Sequence, residues 1–151
     1  MIKEKSFLRL GLVSIGFAMI GTVLAMCGPL PAFSFSLAAH GRYIVERVGM
    51  CEDCHTPKGP RGEFLSGKKL QGTKLDFSPV HPVPGWKSKS VAIAGLPKGW
   101  TKANMVRFLE KGLTPKGHLS HPPMPAYRMT HRDALAVTLY LMEAGRQTPK
   151  R

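Results

Sequence analysis

The sequence predicts an all-α domain of three to four short helices joined by long loops. Three segments carry apolar residues at helical spacing, at about residues 40–48, 101–112 and 130–145. The stretch 57–99 is rich in glycine and proline and has few periodic apolar positions, which is typical of loops and turns. With 151 residues and 43% hydrophobic content, the chain suits one domain of ordinary size.

The first two predicted helices have clear ends. The first covers residues 40–48 and is interrupted by Gly49. The second is capped by Thr101, whose hydroxyl can accept a hydrogen bond from a free N–H group of the first turn, and it stops at Gly112. Their apolar faces are Tyr43, Ile44 and Val48 in the first helix, and Met105, Phe108 and Leu109 in the second.

The last predicted helix begins at a capping box formed by Thr130 and Asp133, and Gly145 is predicted to end it. Its broad apolar stripe must be buried against other parts of the chain. Three short helices bury little by themselves, and more than forty residues of loop add little to a core. A large internal prosthetic group would supply the missing apolar contacts.

The N-terminal segment has the pattern of an export signal. Lys3, Lys5 and Arg9 precede an uncharged stretch from Leu10 to Met26. We expect residues 1–38 to be a signal peptide and residues 39–151 to form the exported domain, located in the periplasm. An uncleaved N-terminal membrane anchor is the alternative, because seventeen uncharged residues are close to the shortest span of a bilayer.

The chain is strongly basic, with 22 Lys and Arg against 9 Asp and Glu, a net charge of +13. Such a charge attracts acidic proteins, anionic lipids or nucleic acid. Nucleic acid is not expected as a partner, because the chain carries an export signal and no basic recognition helix. The lysines of the middle third are predicted to be solvated loop charges: Lys68, Lys69, Lys74, Lys87, Lys89, Lys98 and Lys102.

The motif that carries chemistry is a C-x-x-C-H run formed by Cys51, Cys54 and His55. Cysteines three apart on a helical turn face the same way, so both can form thioethers with the vinyl groups of one haem. His55 then reaches the iron from the same edge as its proximal ligand. The export signal supports this interpretation independently, since a cytosolic C-x-x-C pair would stay reduced or bind another metal. The third cysteine, Cys27, belongs to the leader.

Two other uses of the cysteine pair are less favoured by the sequence. A redox disulfide of the thioredoxin kind lies at a βαβ junction, but no strand-like alternation precedes Cys51. A zinc site could recruit His81, His118 or His121, but no second ligand pair has the spacing that such sites use. Covalent haem attachment is therefore the preferred interpretation.

The distal iron ligand is predicted to be Met124, which lies between prolines in the run 121–125. Prolines restrict the backbone, which suits a segment that must hold a thioether in place. Met129 is the main competitor, while His81, His118 or His121 would give bis-histidine ligation. His/Met ligation raises the reduction potential and leaves no open position for a substrate, so catalysis at the haem is not expected.

The sequence resembles the single-haem c-type cytochromes of bacteria, including the cytochrome subunits of dehydrogenases. The resemblance covers about residues 39–145 and implies an all-α cytochrome c-like fold wrapped around one covalently bound haem c. It implies the same haem-binding set of Cys51, Cys54, His55 and Met124. The matching segments are Gly41-Arg42-Tyr43, the C-x-x-C-H run, Met124-Pro125-Ala126-Tyr127 with Asp133, and Ala136-Val137-Thr138-Leu139-Tyr140-Leu141.

The resemblance further implies that Gly41 lets the first helix cross the last helix near Tyr140, since glycine permits close backbone approach. We therefore expect a periplasmic electron carrier, not an enzyme, whose redox partners have an acidic docking surface or belong to a membrane-bound dehydrogenase or oxidase complex. One alternative is a permanent haem c subunit of such a complex. Another is a five-coordinate haem sensor or peroxidase, which requires that Met124 does not bind.

Overall fold

The computed structural model describes residues 36–147. Nearly all of the predicted leader therefore lies outside the described residues. The helices are α1 (Leu37–Tyr43), which continues as a π-helical turn (Ile44–Val48), α2 (Cys51–His55), α3 (Lys102–Lys111) and α4 (His131–Gln147). Residues 36–147 contain isolated β-bridges but no strand, which confirms the all-α prediction. No helix in this range is long and apolar enough to cross a membrane.

The first helix begins earlier than the sequence pattern indicated. Ser36 caps it, because its hydroxyl accepts a hydrogen bond from the Ala39 N–H at 3.1 Å. After Tyr43 the helix widens into the π-turn, and the Gly49 N–H donates to the Ile44 carbonyl at 2.7 Å. The predicted interruption at Gly49 is therefore confirmed, whereas the predicted start at residue 40 is three residues late.

α1 crosses α4 at a glycine. A Cβ atom added to Gly41 would lie 2.0 Å from the carbonyl oxygen of Ala136, so no other residue fits without moving a backbone. The expected close approach of these helices is confirmed, but it is centred at Ala136, one turn before Tyr140. Tyr140 instead donates its hydroxyl to Glu46 of the π-turn at 2.9 Å.

α3 has the ends that the sequence predicted. The Thr101 hydroxyl accepts a hydrogen bond from the Asn104 N–H, and the Asn104 side chain accepts one from the Thr101 N–H. Gly112 follows the helix in the left-handed region, with φ +71°. The buried side of α3 includes Phe108, which packs edge-to-face against Trp100 at 5.2 Å between ring centroids.

α4 begins as predicted but does not end as predicted. The Thr130 hydroxyl accepts a hydrogen bond from the Asp133 N–H at 3.2 Å. The helix then runs past Gly145 to Gln147. A Cβ atom on Gly145 would lie 2.2 Å from the Cα atom of Gly95, so this glycine allows a close backbone contact and does not terminate the helix.

The long loop that follows α2 is organised around Leu70, which is completely buried. Its N–H donates to the Thr56 hydroxyl, and its carbonyl accepts from the N–H groups of Ile93 and Ala94 at 2.9 and 3.0 Å. The Gly95 N–H in turn donates to the Leu141 carbonyl of α4. These bonds fix the loop beside the helices and place its residues around the end of α2.

Candidate functional site

The helix that carries the C-x-x-C-H run is short and sharply bounded. Met50 precedes it in the left-handed region, with φ 45°, and Thr56 follows it in an extended conformation. Cys51 and Cys54 are both free thiols and partly buried. Because they are three residues apart on one helical turn, their sulfurs leave the helix on the same side. This is the geometry that attachment to a single haem requires.

Burial raises the pKa of the Cys51 thiol to about 11 and also raises the pKa of the Cys54 thiol. Both thiols are therefore protonated at neutral pH in the folded chain. Within residues 36–147, moreover, no three His, Cys, Asp or Glu side chains are grouped so that they could hold a metal ion. The described residues thus offer these cysteines no further ligands for a zinc site.

His55 is held in one orientation. It is only 6% exposed, and its Nδ1 lies 2.8 Å from the carbonyl oxygen of Val91. A carbonyl can only accept, so Nδ1 carries the proton and Nε2 has the free lone pair. Burial lowers the pKa of His55, and the hydrogen bond to Val91 opposes this effect only in part. The result is a neutral imidazole with Nε2 available to bind iron.

Met124 is partly buried and packs against the hydrophobic core. Its N–H donates to the His121 carbonyl, and its own carbonyl accepts from the Ser120 hydroxyl, both at 3.0 Å. Two residues earlier, the Pro122 carbonyl accepts from the Lys87 N–H at 2.8 Å. The segment 87–91 therefore contacts the Met124 run at one end and His55 at the other.

The competing ligands have different surroundings. Met129 also packs against the core, but its N–H donates to the Leu109 carbonyl at the end of α3. His81, His118 and His121 are all exposed. Of the two methionines, Met124 lies in the run that is bonded to the segment that holds His55, and it is partly buried, whereas His121 of the same run is exposed.

Several features beside these residues fit a haem. Within the described part of the chain, the indole Nε1 of Trp86 is buried without a hydrogen-bond acceptor, and a haem carries carboxylates that could accept from it. Val91 is 59% exposed although its carbonyl holds His55, so its side chain is available to an apolar ring. Two cavities, of about 240 and 500 Å³, also lie in the loop region, but neither is lined by Cys51, Cys54, His55 or Met124.

The sequence did not reveal an ion-pair cluster next to the C-x-x-C-H run. Lys69, predicted to be a solvated loop charge, lies 2.5 Å from the carboxylates of both Glu46 and Glu52. Its prediction was wrong because the π-turn and α2 bring two carboxylates, each about 15% exposed, to the same lysine. The sequence likewise indicated no partner for Tyr127, which it showed only as part of a motif. In the structure its hydroxyl donates to the Gly49 carbonyl at 2.9 Å.

Comparison with known proteins agrees with this site. No family model matches the chain. The chain is similar to a protein of Cereibacter sphaeroides described as a diheme cytochrome c-type, with 26% identity over 106 residues, or 67% of this chain. The chain spans about a third (33%) of the length of that relative.

This distant similarity to a protein described as a c-type cytochrome agrees with the C-x-x-C-H run found in the sequence. Cys51 and Cys54 have the spacing of the covalent attachment motif. The four helices of residues 36–147 and the similarity to this relative are together consistent with an all-α cytochrome c-like fold.

Proposed function

We propose that the chain is a periplasmic electron-transfer protein that carries one electron on one haem c. Cys51 and Cys54 would hold the haem through thioethers, and His55 and Met124 would bind its iron. The observation that carries the proposal is His55, buried next to both cysteines with Nδ1 bonded to Val91 and Nε2 free. When bound, the haem supplies an iron that alternates between the ferrous and ferric states.

The chain supplies position and surroundings to that iron. The hydrogen bond from His55 Nδ1 to the Val91 carbonyl fixes the imidazole plane and makes Nε2 a stronger electron donor. The Met124 thioether favours the ferrous state more than a second imidazole would, which raises the reduction potential. With both His55 and Met124 bound to it, the iron would have no free position for a substrate. The proposed role is therefore electron carriage and not catalysis.

The charge of the chain and its predicted leader support the rest of the proposal. A net charge of +13 attracts redox partners with an acidic docking surface, whether free or part of a membrane-bound dehydrogenase or oxidase complex. Covalent haem attachment takes place outside the cytoplasm, which is where an export signal over residues 1–38 would deliver the chain.

The test is production of the full chain in an export-competent host with haem-maturation machinery, followed by visible spectra of both redox states. We expect one haem per chain that remains attached after denaturation and is lost in the Cys51→Ala, Cys54→Ala double variant. Met124→Ala should abolish the ferric sulfur-to-iron band, while the matched Met129→Ala should retain it. A colourless protein with two free thiols would overturn the proposal.

Two further measurements separate the proposal from its alternatives. Carbon monoxide should not bind to the reduced protein at neutral pH, because Met124 fills the sixth position. Binding would instead support a five-coordinate sensor or peroxidase. Gel filtration of native extracts should show a small haem protein, whereas co-migration with a dehydrogenase or oxidase activity would support a permanent subunit.

A further inference from the structure

A proline-rich loop projects from the domain next to the proposed haem site. We call residues 76–86 the proline loop; it contains Pro79, Pro82 and Pro84. An antiparallel bridge between Lys74 and Lys89 closes its base. Prolines restrict the backbone, so the loop presents its side chains with little loss of conformational freedom on binding.

The tip of the proline loop is apolar and exposed. Val80 is 93% exposed, and Val83 is also exposed. Phe77 is also exposed, and it packs edge-to-face on Trp86 at 5.8 Å between ring centroids. The loop therefore offers Val80, Val83 and the exposed part of Phe77 to a partner, while the contact between its two aromatic rings holds its shape.

The base of the proline loop carries unneutralised positive charge. The bridge places Lys74 directly opposite Lys89, and like charges at opposed positions are destabilising. Among the described residues, Lys74, Lys87 and Lys89 form no ion pair, while the nearby Asp76 is already paired with Lys58 at 3.6 Å. An acidic partner would relieve this repulsion.

The segment that follows the loop, residues 87–91, is hydrogen-bonded to His55 and to the run that contains Met124. The Lys87 N–H donates to Pro122 in the Met124 run, and the carbonyl of Val91, two residues after Lys89, accepts from His55. A protein that docks on this base is thus brought close to the iron, which is what transfer of an electron between two proteins requires.

We propose that Val80 and Val83, with Lys74, Lys87 and Lys89, form the docking surface for an acidic redox protein. That partner presents a small apolar patch bordered by carboxylates. The inference rests on the proposed function and names the surface through which that function is carried out. Apolar contact at the tip increases the lifetime of the complex, while the lysines raise the rate of association and orient the partner.

The test measures one-electron transfer from a fully reduced flavodoxin, used as a small acidic redox protein, to the ferric haem-loaded chain. We expect Lys89→Glu to lower the second-order rate about tenfold at low ionic strength and much less at high salt. Val80→Ser, which changes no charge, should lower it about threefold. The matched control is Lys98→Glu, an exposed lysine outside the proline loop, which should have a much smaller effect.

A second probe separates charge from apolar contact. Ferricyanide is an anion without an apolar surface, so its rate of oxidation of the ferrous chain should fall in Lys89→Glu but stay unchanged in Val80→Ser. Equal rates with flavodoxin for Lys89→Glu, Val80→Ser and Lys98→Glu would overturn the proposal. The proposal would also be overturned if Val80→Ser and Lys89→Glu lost binding to phosphatidylglycerol vesicles while their rates with flavodoxin stayed unchanged. That result would assign the surface to a membrane. Failure of haem attachment would count against the proposed function instead.

Discussion

The ammonium group of Lys69 pairs with the carboxylate of Glu52, 2.5 Å away, and so ties the long loop to the helix that carries both cysteines. The same ammonium pairs with Glu46 of the π-turn, which also accepts a hydrogen bond from the Tyr140 hydroxyl of α4. One lysine therefore connects four parts of the fold around the C-x-x-C-H run. The two carboxylates are mostly buried, so neither can be left unpaired without cost.

Replacing Lys69 with methionine should make the protein less stable and change how its stability depends on pH. Burial raises the pKa of Glu46, but hydrogen bonds from Lys69, Tyr140 and Arg42 outweigh it and hold the pKa at about 2. Because this pKa is lowered on folding, Glu46 contributes stability above about pH 4.5 that is lost as the pH falls toward 2. Lys69→Met should remove about 1 kcal/mol at pH 7, since the lysine is partly exposed.

The measurement is urea unfolding of the haem-loaded protein between pH 7 and pH 3. The difference in unfolding free energy between wild type and Lys69→Met should shrink as the pH falls. Lys68→Met is the matched control, because the neighbouring lysine forms no ion pair within residues 36–147, and it should change stability little at any pH. If both variants behaved alike, the cluster would have no stabilising role.

Tyr127→Phe should cost about 1 kcal/mol, because the Gly49 carbonyl loses its hydrogen bond. Burial is the main reason that the pKa of Tyr127 is raised to about 12. A pKa raised on folding gives stability that is complete below about pH 10 and is lost as the pH rises through 12. The unfolding free energy of Tyr127→Phe, measured with urea, should therefore lie below that of wild type by a constant amount from pH 6 to 9. This difference should narrow above pH 10.

Tyr43→Phe provides the comparison for this prediction, because Tyr43 is exposed. Its unfolding free energy should stay within about 0.5 kcal/mol of wild type across the same pH range. If the difference in unfolding free energy between wild type and Tyr127→Phe stayed constant up to pH 11.5, the Tyr127 hydroxyl would not be desolvated in the folded state.

Both ends of α3 and the start of α4 were predictable because their causes lie within a few residues of sequence. Thr101 and Asn104 form their capping box three residues apart, and Gly112 adopts its positive φ immediately after α3. The relative positions of the cysteine pair and His55 could be predicted equally well from the sequence, since one helical turn defines their geometry. Such local features follow from residue type and spacing alone.

Contacts between distant segments could not be predicted in the same way. Lys69 meets Glu46 across 23 positions, and in the sequence it does not differ from its solvated neighbours. The partner of His55 is the backbone carbonyl of Val91, a group that every residue carries. Gly145 was assigned to a helix end because glycine serves both positive φ and close approach, and only the fold shows which of the two applies.

Gly41→Ala should destabilise the protein by about 3 kcal/mol or more, although alanine favours helices more than glycine does. The added Cβ would overlap the Ala136 carbonyl at the crossing of α1 and α4. The measurement is the free energy of unfolding by urea. Ala103→Gly, at an exposed position of α3, should cost only about 1 kcal/mol. A stabilised Gly41→Ala variant would mean that the two helices do not cross here.

Gly145→Ala tests whether this glycine allows a contact or ends a helix. If Gly145 only ended α4, alanine would be tolerated or would extend the helix at little cost. Because its Cβ would lie 2.2 Å from Gly95 Cα, we expect instead a loss of about 2 kcal/mol or more and faster hydrogen exchange at the Gly95 N–H, which donates to Leu141. Arg146→Ala, one exposed residue further along, should leave both quantities close to wild type. Unchanged exchange at Gly95 in Gly145→Ala would contradict the close packing of α4 against this loop.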